Sequence, residues 1–328
     1  MVLLRLEMKC MNDLEKLEAL RKDIAVSEER RNKLFWLLSP FMLFAIIMVV
    51  LNRGTSRFHS YLMLLLVLLL VTIMIFAIYS IRNAPRYDLY KEMYKKLVVY
   101  STLSKTFTNV RYEPNSGIDR DYLASLDMID MGDIYESEDY VSGNYKNVAF
   151  FLSDINIEEE ETKTDSKGNE ETYYETLFKG QWMVFDFNKS FKSNIQLAEK
   201  VFWGGTDRKL FPEKKYKKIK LESSEFNKKF AIFAENEHEA FYVLTPRMME
   251  NILSLADKCE APLFLCFINN QLHIGLNNYR NFFEPPNVKK PLSSETLHSA
   301  IGSEIEQITM FIDDLELDNN LFKREVEK

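Results

Sequence analysis

Two uncharged apolar runs, Leu34–Leu51 and Tyr61–Ile81, sit close together near the start of the chain and constrain everything after them. Each is long enough to cross a bilayer as a helix. The link between them, Asn52–Ser60, is too short to hold a domain. The chain therefore enters the membrane, turns and returns, which places the N-terminus and the bulk after residue 81 on one side. Basic residues set the orientation. Arg21, Lys22, Arg30, Arg31 and Lys33 precede the first run, and Arg82, Arg86, Lys91, Lys95 and Lys96 follow the second. The link carries only Arg53 and Arg57, so both termini are expected in the cytoplasm. Met1–Leu6, followed by Glu7, is too short an apolar stretch for a cleavable signal peptide.

The runs hold no Asp, Glu, Lys, Arg or His, and their polar residues are limited to Ser39, Thr72 and Ser80. A transport pathway needs ionisable or clustered polar groups at depth, so the runs read as an anchor. Neither shows a Gly-x-x-x-Gly face, although Ala45 and Ala77 allow local helix approach.

The flanks are helical. Met11, Leu14, Leu17, Leu20 and Ile24 recur at helical spacing, as do Tyr90, Met93, Tyr94, Leu97 and Val98. Pro85 suits the first turn of the second flank, and the two flanks are expected to pair as a stalk. The organisation that follows is a helix over 1–33, spans over 34–51 and 61–81, an external link over 52–60, a stalk helix over 82–105 and a cytoplasmic domain over 106–328.

That last domain is predicted to be α+β with an antiparallel sheet. Strand character runs through Val148–Ile157, Glu171–Phe178, Gln181–Phe187, Ile195–Val201, Tyr216–Leu221 and Lys229–Phe233. Turn signals separate them at Ser166–Asn169, Asn188–Lys192, Gly204–Thr206 and Ser223–Asn227. A short helix is expected over Arg120–Asp127, and another over Thr245–Lys258 with Thr245 as N-cap and Pro246 at the first helical position. Pro262–Ile268 and Leu272–Leu276 read as a hairpin about Asn269–Gln271. A final helix, from Ser293 or Ser294 to about Leu317, carries Ile301, Ile305, Ile308, Phe311, Ile312 and Leu315 on one face. A curled sheet closed by this helix would bury that face.

Chemistry is harder to find. The net charge of −7 argues against a nucleic-acid partner. Cys10, Cys259 and Cys266 form no disulfide framework, and Cys259 and Cys266, in apolar surroundings, read as buried free thiols, which fits a reducing compartment. His59, His238, His273 and His298 are scattered, with none at metal-ligand spacing, and no nucleotide or hydrolase motif is present. No cofactor or metal is expected. Glu158–Glu161 and Glu170–Glu171 read as a solvated hairpin. Phe282 and Phe283, ahead of Pro285 and Pro286, read as docking their loop into the core.

One cluster has the opposite sign. Arg208, Lys209, Lys214, Lys215, Lys217, Lys218 and Lys220 are interleaved with Phe211 and Tyr216. They read either as a contact for anionic lipid or an acidic partner, or as lysines protecting an edge strand.

A series of short motifs adds a resemblance. It comprises Asp139-Tyr140-Val141-Ser142-Gly143, Phe178-Lys179-Gly180 with Phe185-Asp186-Phe187-Asn188-Lys189, and Leu221-Glu222-Ser223 with Phe226 and Phe230. Tyr242-Val243-Leu244-Thr245-Pro246 with Met249, and Phe282-Phe283-Glu284-Pro285, complete it. In order and spacing, Ile118–Leu317 resembles a bacterial membrane-associated family defined only as a domain of unknown function. The resemblance implies two membrane spans ahead of a cytoplasmic domain and transfers no activity. The expected function is a binding or scaffold domain held at the bacterial inner membrane, with the bilayer and a protein at its cytoplasmic face as partners. The alternatives are an enzyme whose site is scattered through the sequence, and an accessory subunit of a membrane complex.

Overall fold

The computed structural model describes residues 2–126, 129–164, 168, 170–187, 192–200 and 216–318. The chain forms two units. One contains the helices up to Val99 together with Glu284–Ala300, and the other contains Tyr100–Phe283 and the residues from Ile301 onward.

The first unit is a helical hairpin. Helix α1, Val2–Leu51, and helix α2, Phe58–Tyr94, each run unbroken from apolar span into charged flank. Pro40 lies inside α1 and deprives the Trp36 carbonyl of its helical N–H partner. The neighbouring Ser39 hydroxyl donates to that carbonyl at 3.0 Å, so the helix continues. Pro85 does not open a helix as predicted but lies inside α2, because the helix has already been nucleated in the span. The flanks bury Leu17, Ile24, Tyr90, Tyr94, Val98 and Val99, which gives the stalk its apolar seam. Ala45 is fully buried at the close approach of the spans, whereas Ala77 faces outward. Along both spans large apolar side chains point outward, with Leu51 72% exposed and Ile81 75%. Both helices are long and apolar enough to cross a membrane, and the outward-facing surface of each is continuous and apolar.

After α2 the helix widens into one π-helical turn, Lys95–Val99. Lys95 is thereby turned inward, 3.2 Å from the Glu284 carboxylate, which Lys91 also meets at 2.7 Å. Glu284–Ala300 lies along the stalk as a strap. Arg21 and Glu18, one turn apart on α1, form a two-point ion pair with both N–O distances 2.7 Å. The same Arg21 donates to the Val288 carbonyl, and Glu18 accepts from the Leu292 amide at 3.3 Å. The Arg21 bond accordingly holds the Glu18 carboxyl below its ordinary pKa.

The second unit is α+β, as predicted. Helix α3, Tyr100–Thr106, leads into a nine-stranded sheet. Its strands are β1 Thr108–Glu113, β2 Ile134–Tyr145, β3 Val148–Thr164, β4 Glu170–Asp186, β5 Ile195–Glu199, β6 Lys217–Ile219, β7 Phe230–Ala234, β8 Leu263–Ile268 and β9 Gln271–Leu276. The order is β1-β2-β3-β4-β9-β8-β5-β7-β6, and every neighbouring pair is antiparallel. Directly opposed residues share a face. Phe151, Val184, His273, Cys266 and Gln196 mark one face, covered around Trp182 and Phe264 by helix α4, Arg120–Ser125, through Leu123. Phe150, Phe185, Leu272, Phe267 and Ile195 mark the other. Helix α8, Ser294–Asp314, meets it through Phe311, 6.2 Å from Phe185 between ring centroids, and all six predicted apolar side chains, from Ile301 to Leu315 just past the helix, are buried. Each such side chain contributes about 1.5–3 kcal/mol, ample to dock a helix of this length.

Helix α7, Pro246–Lys258, starts as predicted. The Thr245 hydroxyl accepts from the Met248 amide at 3.3 Å. The β8–β9 hairpin turns on Asn269 and Asn270, both at positive φ.

Several expectations change. Glu171–Phe178 and Gln181–Phe187 are one strand, β4, which continues through Gly180. Ser223–Asn227 is not a turn but starts helix α5, Ser224–Lys229, since a serine that can make a turn also caps a helix. Strands β1 and β2 and helix α6, Glu237–Val243, were not predicted. Strand β2 is broken by a bulge at Asp139, a residue at positive φ, which hides its alternation. The turns at Gly204–Thr206 and most of those at Ser166–Asn169 and Asn188–Lys192 lie outside the described residues.

Candidate functional site

Between α8 and the ends of β8 and β9 lies a groove of about 710 Å³. Its walls include Lys258, Cys259, Tyr279, Arg280, Glu306 and Met310. The volume is that of a small-molecule site or of a cleft for a few side chains of a partner.

One wall is the loop after β9, and its rigidity is built residue by residue. The Asn277 side chain accepts from the Lys179 amide at 2.9 Å, and the Tyr279 amide donates to the Lys179 carbonyl at 2.9 Å. The Gln181 carboxamide, fully buried on β4, accepts from Asn278 Nδ2 at 2.6 Å and donates to the Arg280 carbonyl at 2.6 Å. It also donates to Asp154 Oδ1 at 2.9 Å, while the Phe282 amide donates to Asp154 Oδ2 at 2.6 Å. The Phe283 amide donates to Glu304 on α8 at 2.9 Å. Both Phe282 and Phe283 are buried, as predicted.

This network holds Tyr279 at positive φ with its side chain 61% exposed in the groove wall. A bulky residue adopts that backbone only under constraint, and the surrounding bonds supply it. The close fit extends to Gly180, where a Cβ would stand 2.0 Å from the Leu276 carbonyl oxygen.

The titratable groups nearby serve structure. Burial, with the charges of Asp139 and Glu304, raises Asp154 well above the ordinary carboxylate pKa, against the bonds from Gln181 and Phe282. His273 is buried on the α4-covered face, where its Nδ1 accepts from Trp182 Nε1 at 3.4 Å. Burial lowers its pKa to about 3, so it stays neutral. Burial, with the carboxylates of Glu199 and Asp314, pushes the Cys259 thiol up to about 12. That shift is opposite to what a nucleophilic cysteine needs. Cys266 is fully buried and its thiol is also raised by burial.

Of the basic cluster, Arg208, Lys209, Lys214 and Lys215 lie outside the described residues. Lys217 and Lys218 are exposed on β6, the last strand of the sheet, and Lys220 is exposed just beyond it. That position suits both readings, edge protection and contact with an acidic surface. Sequence reasoning missed Tyr279 and Arg280. The signal available was Asn277-Asn278, two turn-forming residues immediately after a strand.

Residues 176–317 match a family described as "Protein of unknown function (DUF3137)". The match begins in β4 and ends just past α8, so it includes the groove and the motifs from Phe178 onward. Asp139–Gly143 lies outside it. Among solved structures, the crystal structure of the mycobacterial trehalose monomycolate transport factor A, TtfA, aligns over 73% of this chain and 98% of that one. The identity is 13% and the TM-score 0.37. No curated protein matches the chain.

Proposed function

We propose that the protein is a tethered binding module of the bacterial inner membrane, with both termini cytoplasmic, whose sheet unit holds a protein partner in the groove beside Tyr279. The observation that carries this reading is continuity. The two helices leave their apolar spans without a break, pair as a stalk, and are strapped by Glu284–Ala300. Anchoring confines the binding unit to the membrane surface and raises its effective concentration toward membrane-bound partners. The groove supports binding over catalysis, because its thiol is shifted away from reactivity and the buried Asp154 is occupied in holding the loop.

The test places a photo-crosslinking residue at Tyr279 or Arg280 in the full-length chain in native membranes. Tyr174, exposed on β4 away from the groove, serves as control. The expected result is one protein captured from both groove positions and not from Tyr174, and lost in Met310→Asp. Capture that is equal at all three positions, or absent at all, removes the groove as a partner site.

A further inference from the structure

We propose that the stalk holds the phosphate of an anionic lipid headgroup in a cleft between α1 and α2; the proposal rests on the membrane reading above. Asp23, Ser27 and Arg30 recur at helical spacing on α1, as do Ile78, Arg82 and Arg86 on α2. The hairpin brings these two faces together around a cleft of about 270 Å³, which Tyr79 also lines. Asn83 Nδ2 donates to Ser27 Oγ at 3.0 Å across the pair and fixes its register.

The charges in the cleft do not balance. Asp23 takes Arg86 at 3.0 Å. Among the described residues, Arg30 and Arg82 have no acidic partner. Arg21, by contrast, is paired with Glu18, Lys33 with Glu29 and Lys91 with Glu284, while Arg31 meets the Asn32 side chain and the Phe76 ring. Two unopposed guanidinium groups facing one polar cleft suit a phosphate, which their planar donor forks bind two oxygens at a time.

The depth also fits. Arg30 is one turn ahead of Leu34, roughly 6 Å along the axis at about 1.5 Å per residue. Arg82 directly follows Ile81, and Arg86 lies roughly 6 Å beyond it. The headgroup layer is roughly 5–7 Å deep on each side of the hydrocarbon core, so the cleft opens where lipid phosphates lie. Toward the span, Met74 and Ile78 continue the same face of α2 and are 56% and 53% exposed, a strip on which an acyl chain can lie.

Full-length protein in neutral detergent is offered equal phosphatidylglycerol and phosphatidylcholine, or inorganic phosphate alone, and examined by native mass spectrometry. One phosphatidylglycerol should be retained with a preference of about tenfold or more over phosphatidylcholine. Arg30→Gln with Arg82→Gln should bring that preference close to one, whereas Lys33→Gln at a similar depth should leave it unchanged. Arg30→Lys with Arg82→Lys, which keeps the charge and removes the fork, should fall between, and circular dichroism checks that each variant keeps its helices. No preference in the unaltered protein, or full retention by the double glutamine variant, overturns the cleft. Inorganic phosphate that binds and displaces the lipid overturns the lipid assignment in favour of a soluble phosphate. Alkaline carbonate extraction separates the premises. Release of the protein from membranes overturns the anchor itself, while a protein that stays in the pellet without lipid preference overturns only the cleft.

Discussion

His273 shows how one residue couples the sheet's interior to pH. Its folded pKa of about 3 lies below the ordinary 6.5, so between those values the unfolded chain binds a proton that the folded chain refuses. Its contribution is complete above pH 6.5 and is lost progressively as pH falls toward 3. His273→Leu should therefore flatten the acid side of a melting-temperature profile. At neutral pH it should cost about 1–3 kcal/mol, because Trp182 Nε1 loses its acceptor. A variant as acid-sensitive as the parent would show that His273 is not the group that titrates. Gly180 makes the matching backbone statement. Gly180→Ala forces a Cβ against the Leu276 carbonyl, and the penalty expected in chemical denaturation is about 3 kcal/mol or more. The sequence placed His273 in a strand, Leu272–Leu276, and the structure has it in β9. The sequence could not reveal the Gly180 contact, whose partner lies in a strand 96 positions away in number only because the sheet order places β9 beside β4.

At the level of elements, what could be read from the sequence followed locality. The α7 cap and the Asn269-Asn270 turn are decided by residues within one turn of each other, and both are as predicted. Strand β1 is mostly exposed or half-buried and strand β2 carries a bulge, so neither shows the alternation that a sequence reader needs. The groove was hidden for a related reason. Its loop is shaped by Asp154 and Gln181, which only the folded sheet brings to Asn278 and Phe282. The strap depends on the Arg21–Glu18 pair in the same long-range way. Arg21→Ala removes the donor to Val288 and the partner of Glu18. Hydrogen exchange of the Leu292 amide and its neighbours should then quicken by tenfold or more, about 1.4 kcal/mol of lost local protection. Unchanged exchange would mean that the strap is held elsewhere.

For the whole molecule, the proposed orientation rests on charge asymmetry and is directly measurable. A cysteine placed at Gly54, in the link between the spans, should react with an impermeant maleimide added to intact cells. One placed at Lys105, after the stalk, should react only once the membrane is opened. The reverse pattern would invert the topology, and labelling of both in intact cells would remove the membrane hairpin.

Chain order and spatial membership diverge at the strap. Glu284–Ala300 belongs to the helical unit, yet it is spliced between Phe283 and Ile301 of the sheet unit. No single cut can divide this polypeptide into its two bodies. A fragment ending at Val99 keeps the stalk but lacks the segment that covers Arg21, and the remainder carries that segment with nothing to clasp. The halves are thus mutually incomplete. Separately produced, they should find each other and reassociate, so that a severed chain regains its integrity by fragment complementation.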